Sequence, residues 1–322
     1  MCYRDSICFC FLAALLFACG GSRSVAQDVL VLSKSGGGES LRKGEIVSWI
    51  GDTISIKGKT GLKDIDTSRL LRFETAWHPG YEQGKLLQAS FRYAEAINQY
   101  AEALDNEPRA WMQNIVHAKA CECFMAREDY DGAAGQFLQL IDDDPQSRFR
   151  HLVPLVWTSS RPKKHERKAA AWMDSDEPML ALMGASWLLE SDPQAQQKMQ
   201  SLSRDFDPSI AALATAQRWR LEKVAPNQKR LTLQIEQTRA MPENVRCGAW
   251  YLIAKAQIES KQTDNAIVNF MRIVSNDPQQ GLLVPAALYQ AARMLEKTNR
   301  EQQSQAMRNE LKEKFGDTIW AQ

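Results

Sequence analysis

The chain is poor in the residues from which metal and nucleophile sites are made. Its 322 residues hold four histidines, His78, His117, His151 and His165. They are scattered, with neither HExxH spacing nor a Cys/His cluster, which excludes a zinc centre of those kinds. No Walker A loop and no GxGxxG occurs. Gly36, Gly37 and Gly38 lack the strand-to-helix setting that a phosphate cradle needs, and read as a loop. A GxSxG nucleophile elbow is missing too. The chain therefore reads as non-catalytic, with no cofactor and no metal expected.

Charge of one sign is also missing. Lys plus Arg total 40 against 39 for Asp plus Glu, so no global field draws the chain to nucleic acid or an anionic membrane. No nucleic-acid partner is expected. Long apolar runs are absent as well; the longest, residues 7–19 (ICFCFLAALLFAC), has 13 residues and is too short to span a bilayer comfortably. Cysteine is scarce beyond this run. Of seven, Cys2, Cys8, Cys10 and Cys19 lie in the first 19 residues, leaving Cys121, Cys123 and Cys247. Three is no disulfide framework. Cys121 and Cys123, two apart on an expected helix, point to different faces and read as small packing residues.

The first two dozen residues form a distinct segment. The apolar run follows Arg4 and precedes Gly20, Gly21, Ser22, Arg23 and Ser24, with Ser24 and Ala26 at the −3 and −1 positions of a cut after Ala26. This is the layout of a secretory signal peptide over residues 1–26. A second processing route competes. Leu16, Phe17, Ala18 and Cys19 resemble a bacterial lipobox, in which Cys19 becomes the lipidated N-terminus; Phe17 is unusual there, and the soluble product is preferred. Either route takes the protein out of the cytoplasm, to a periplasmic or envelope location. Membrane attachment is expected only if Cys19 is lipidated.

Residues 28–77 carry strand patterns. Val29 to Leu32 form a short apolar run, broken by Ser35 to Gly38. Segments 46–50 and 53–56 flank Gly51-Asp52, a hairpin signal. Further short strands are expected around 62–65 and 70–73. Four or five strands in so short a stretch suggest a small β-barrel or curled sheet. It is similar in rhythm to Sm-like and SH3-like modules, and has a core too thin to stand without support from the rest of the chain.

From Tyr81 the period becomes helical, and an internal repeat emerges. The string Ala-x3-aromatic-x7-Pro occurs at Ala96, Tyr100, Pro108; at Ala133, Phe137, Pro145; and at Ala266, Phe270, Pro278. Twelve residues before each alanine stands another small residue: Gly84, Cys121 and Ala254. A fourth unit continues the register through Ala292 and Ser304, with Leu295 and Leu311 as core positions. Small residues at these slots let two helices cross closely. These residue types at these offsets resemble the tetratricopeptide repeat. The resemblance implies a mainly α fold: a solenoid of antiparallel helix pairs, behind the β module. The first-helix aromatic positions depart from it, His117 and Gly80 standing where Trp is expected, and Pro108 and Pro145 lie 37 apart rather than 34. Repeats with longer loops are similar to those of envelope proteins of the Tol–Pal coordinator and outer-membrane assembly lipoprotein types. The expected division is residues 80–145 for two units and 243–322 for two more. Between them, residues 146–242 read as degenerate helix pairs, with Pro178, Pro193 and Pro208 each behind an acidic N-cap.

Two features carry candidate chemistry. One is the basic run of Arg148, Arg150, His151, Arg161, Lys163, Lys164, His165, Arg167 and Lys168, which reads mainly as a solvated face. The other comes from the resemblance, which places the first helices along the concave face. Tyr81 and Lys85, Tyr251 and Lys255, and Tyr289 and Arg293 then recur with i,i+4 spacing that puts each pair on one helix face. Such pairs can stack an apolar side chain and bind a carboxylate; equally, the tyrosines can fill the space between neighbouring units. Ala118 and Glu122 break the pattern in the second unit. The expectation is a scaffold binding a protein or peptide partner of the envelope. Two rivals stand beside it: a hydrolytic or carbohydrate-active enzyme with an unrecognised site, and a β module that does the recognising while the solenoid acts as a spacer.

Overall fold

The computed structural model describes residues 27–158, 166–222, 227–276 and 283–321. Residues 1–26, where a signal peptide is expected and which include Cys19, lie outside them, as do Pro278, Arg161, Lys163, Lys164 and His165.

Five antiparallel strands come first: β1 (Asp28–Ser33), β2 (Glu39–Ile50), β3 (Thr53–Gly58), β4 (Gly61–Asp66) and β5 (Leu70–Glu74). Their order is β4-β3-β2-β1-β5. β2 serves two partners, its first half pairing β1 (Ser33 opposite Glu39) and its second half β3 (Ile50 opposite Thr53). Irregular register between Ile46 and Ser48 bends it, and the sheet curls. It does not close, since β4 and β5 stay unpaired with each other. The barrel alternative is thus corrected to a curled open sheet. Where a closed barrel would seal its own core, this sheet relies on the helices. Trp111 donates from Nε1 to the Ile46 carbonyl at 3.0 Å and lies against Trp49 and Phe73, both 6.2 Å away between ring centroids.

Thirteen α-helices come after it among the described residues: α1 (Pro79–Ala89), α2 (Tyr93–Asn106), α3 (Ala110–Ala126), α4 (Tyr130–Asp143), α5 (Glu166–Met173), α6 (Pro178–Leu188), α7 (Pro193–Leu202), α8 (Pro208–Arg218), α9 (Gln228–Ala240), α10 (Arg246–Glu259), α11 (Thr263–Asn276), α12 (Val284–Lys297) and α13 (Glu301–Phe315). None is long and apolar enough to cross a membrane. Four helical hairpins, α1/α2, α3/α4, α10/α11 and α12/α13, share one internal geometry. In each, residues twelve apart are joined across the pair: Tyr100 donates to Gln88, Cys121 to the Ala133 carbonyl, Asn269 to Gln257, and Ser304 to the Ala292 carbonyl. Each first helix also ends in the same way. Phe91, Glu128, Lys261 and Asn299, all seven residues after the small first-helix position, take φ between 56° and 60°. The next amide then reaches back five residues, Arg92 to Leu87, Asp129 to Phe124, Gln262 to Gln257 and Arg300 to Leu295. This is the Schellman closure, which satisfies the last helical carbonyls.

The middle stretch turns by other means. Glu177, Asp192 and Asp207 cap α6, α7 and α8 by accepting from backbone amides, with Pro at the first helical position each time. Arg150 ties two of these caps together, reaching Glu177 at 3.5 Å and Asp207 at 3.2 Å.

The β module is welded to the first two units. The Gly51 amide in its hairpin turn donates to the buried carboxylate of Asp144 at 2.7 Å. Trp77 stacks on Tyr81 at 4.1 Å. At the other end the chain returns to its start. Phe315 meets the Phe91 ring at 4.8 Å, the Ala94 amide donates to Asp317 at 3.2 Å, and Trp320 Nε1 donates to Glu128 at 3.2 Å. The repeats therefore form a closed arc, with the last unit seated on the turns of the first two.

Candidate functional site

An open concave groove is what a run of first helices leads one to expect. Here the chain fills part of it with its own residues. Residues 153–158 are buried throughout and form neither helix nor strand. The Leu155 amide turns back to the Val153 carbonyl, and other backbone groups of the segment are satisfied by side chains from α6 and α8. Trp187 Nε1 donates to the Pro154 carbonyl, the Val156 amide donates to Ser186, and Gln217 donates to the Val156 carbonyl. Thr158 donates to Glu128, and the Cys121 sulfur lies 3.6 Å from the carbonyl of the adjoining Leu152. The Trp157 indole lies so close to Gly248 of α10 that a Cβ there would stand 2.2 Å from the ring. With this segment in place, α3, α6 and α10 bury residues on all sides, which is why none of them has a polar face along its whole length.

The three Tyr–cation pairs meet different surroundings. Tyr81 is buried between Trp77 and Tyr100, while Lys85 sits over its ring at 5.4 Å and reaches Glu82 at 3.4 Å. Tyr251 is buried edge-on to Phe270 at 5.6 Å, and its hydroxyl bonds Gln290 of the next unit. Burial raises the phenol of each well above its ordinary value, so both stay neutral. Lys255 points instead into a cleft of about 300 Å³ shared with Trp157, Trp219, Arg220, Glu222 and Glu259. Tyr289 is half-buried against Trp320 at 5.3 Å, with the Arg293 guanidinium 5.6 Å above its ring. In the second unit Ala118 is buried and Glu122 is held by Lys119 and Gln88, both at 2.8 Å. The tyrosines of the first two pairs thus serve packing, and the chemistry left accessible belongs to Lys85, which is paired with Glu82, to the half-buried Lys255 and to Tyr289 with Arg293.

A second cavity, of about 290 Å³, opens beside Tyr289. Arg293 from α12, Arg308 and Lys312 from α13, and Trp320 from the returning tail line it over a buried floor of Ala292 and Leu311. Sequence reasoning found Tyr289 and Arg293 but missed Arg308, Lys312 and Trp320. The last is an isolated aromatic beyond a polar helix, and that was the one signal to find it by.

The described residues of the basic run are dispersed by the fold. Arg148 stacks on Trp49 at 3.7 Å, Arg150 bridges the two caps, and His151 bonds the Arg148 carbonyl. Arg167 and Lys168 are exposed on α5. Among the described residues no group of three His, Cys, Asp or Glu side chains is placed to hold a metal ion.

Together the paired helices, the twelve-residue register and the shared turn define a helical-repeat protein of tetratricopeptide-like units. Residues 249–279, which span α10 and α11, match the family model described as Tetratricopeptide repeat. No curated protein matches the chain.

Proposed function

We propose that this protein is an exported, non-catalytic interaction scaffold of the bacterial cell envelope that binds a protein or peptide partner on its repeat surface. One observation carries the reading: four hairpins keep the same register and the same turn, and the family model falls on one of them. Repeats of this kind generally present surfaces to protein partners, an argument from fold. The apolar leader at residues 7–19, with Ser24 and Ala26 behind it, supports export. Contact with a partner is assigned to Arg293, which is exposed, and to the half-buried Lys255 in its cleft, rather than to the buried tyrosines.

The test is crosslinked capture from envelope extract with the native chain and with Lys255→Glu plus Arg293→Glu. The native chain is expected to retain a specific partner and the variant to lose it at unchanged helicity. Equal capture by both would remove the assignment to these residues. Mass spectrometry of the mature protein separates a cut after Ala26 from lipidation at Cys19, and an intact leader would overturn export.

A further inference from the structure

We infer that the cavity between α12, α13 and the returning tail is a recognition site for an acidic segment of a partner protein, one that carries a carboxylate beside an aromatic or other apolar side chain. The inference rests on the scaffold reading and names the chemistry of the partner.

Charge complementarity selects the occupant. Arg293, Arg308 and Lys312 line the cavity, and among the described residues no carboxylate does. Arg308 is already engaged by Glu296. Arg293 and Lys312 hold no carboxylate among the described residues, although the chain forms ion pairs freely elsewhere. Arg293 is also oriented. Its guanidinium lies over Tyr289, whose ring is itself fixed against Trp320. The guanidinium carbon stands 5.6 Å from the ring centroid, and the N–H groups of Arg293 can grip a carboxylate through two parallel hydrogen bonds.

The floor supplies the second half of the recognition. Ala292 and Leu311 are buried, and the half-buried rings of Tyr289 and Trp320 form an apolar wall. An apolar side chain next to the carboxylate would cover these rings, and the water it displaces strengthens the charge pairing above them. A volume of about 290 Å³ is at the low end of ligand cavities, which run from roughly 300 to 1,000 Å³. It suits one or two side chains of a longer segment rather than a folded surface. Gln305 lines the cavity too; its Nε2 donates to Asn309 at 2.8 Å, and its carbonyl oxygen can accept from that segment's backbone.

The experiment titrates full-length protein, by calorimetry, with three blocked peptides: acetyl-Gly-Glu-Phe-Glu-Gly-amide, its Gln-Phe-Gln counterpart, and the Glu-Ala-Glu version. The acidic aromatic peptide should bind about tenfold or more tightly than the Gln peptide, the ratio expected for one lost charged hydrogen bond. The Glu-Ala-Glu peptide should bind more weakly than the parent, and Arg293→Glu with Lys312→Glu should abolish the preference without changing the circular dichroism spectrum. Affinity should also fall with added salt. Equal binding of the Glu and Gln peptides overturns the proposal, as does undiminished binding by the double variant. Displacement of the peptide by inorganic phosphate at matched charge overturns it too, because it reduces the site to an unselective basic surface. Crosslinked capture with the same double variant separates the two readings. A partner retained by a chain that has lost peptide binding sinks this pocket and spares the scaffold.

Discussion

Gly248→Ala is a substitution whose sign depends on whether the chain fills its own inner face. Alanine is more favourable than glycine in a helix by at most about 1 kcal/mol, so α10, whose third residue is Gly248, would gain stability if taken alone. In the folded protein the new methyl would stand 2.2 Å from two atoms of the Trp157 indole and 2.4 Å from a third. Carbon atoms rest at about 3.5–4.0 Å, so the ring must retreat by more than roughly 1 Å. It has little room to do so, since Trp157 is buried and the backbone just before it is held by Ser186 and Gln217. Overpacking of this kind costs about 1–3 kcal/mol, and a displacement this large belongs in the upper half of that range. The expected net effect is a loss of about 1–2 kcal/mol. Urea unfolding followed by circular dichroism measures it, with Trp157→Leu and the double variant completing a cycle. In the Trp157→Leu background the smaller side chain should relieve the clash, so that Gly248→Ala there costs little or stabilises. A Gly248→Ala protein more stable than the native chain would refute the placement of residues 153–158 against α10.

Other perturbations draw on the same geometry. Lys261 is exposed and holds φ at 60°, a conformation costing an L-residue roughly 1–2 kcal/mol. Lys261→Gly should therefore raise the stability by about 0.5–1 kcal/mol after the extra chain entropy of glycine is subtracted, whereas Lys261→Ala should not; a glycine variant no more stable than the alanine one rules out the shared turn. Glu128 holds both Thr158 and Trp320, so Glu128→Ala should cost about 2–4 kcal/mol and speed amide hydrogen exchange in the tail around Trp320. Unchanged exchange there would mean that the tail is anchored elsewhere. Cys121 and Cys123 are buried, which pushes both thiols far above their ordinary value of 9.0. Native protein at pH 8 should therefore leave both unmodified by a thiol reagent until it is unfolded. The same shift sets a sign for pH dependence. Stability is complete below the unfolded-state thiol value and falls as pH rises past about 9, by up to roughly 1.4 kcal/mol per pH unit for each thiol. A midpoint that stays level from pH 8 to 10 would contradict this.

Much of the helical part was legible because its determinants are local. Ala96 and Tyr100, Ala133 and Phe137, and Ala266 and Phe270 are all fully buried at the crossings where the twelve-residue register puts them. Asp and Glu before Pro178, Pro193 and Pro208 cap helices because the side chain needs only the next two or three amides. The strand segments were readable for the same reason, and Gly51-Asp52 does join β2 to β3. The candidate site was legible in part. Tyrosine and cation fall on one helix face by spacing alone, yet spacing is silent on what lies opposite that face. Trp77 covers Tyr81, and the next unit covers Tyr251.

Helix periods, caps and the small residues at each crossing are thus written in the order of residues, because each depends on neighbours a few positions away or on one hairpin's partner. Packing in three dimensions was needed to decide that the sheet stays open against Trp111, that residues 153–158 enter the inner face, and that Trp320 returns to Glu128 across 192 positions of chain. Those contacts join residues with no fixed spacing. They form where apolar surface left over from one element finds a matching surface on a distant one, and where buried polar groups must then find partners. That is why the cations near Tyr289 became a pocket while those near Arg150 became struts of the frame.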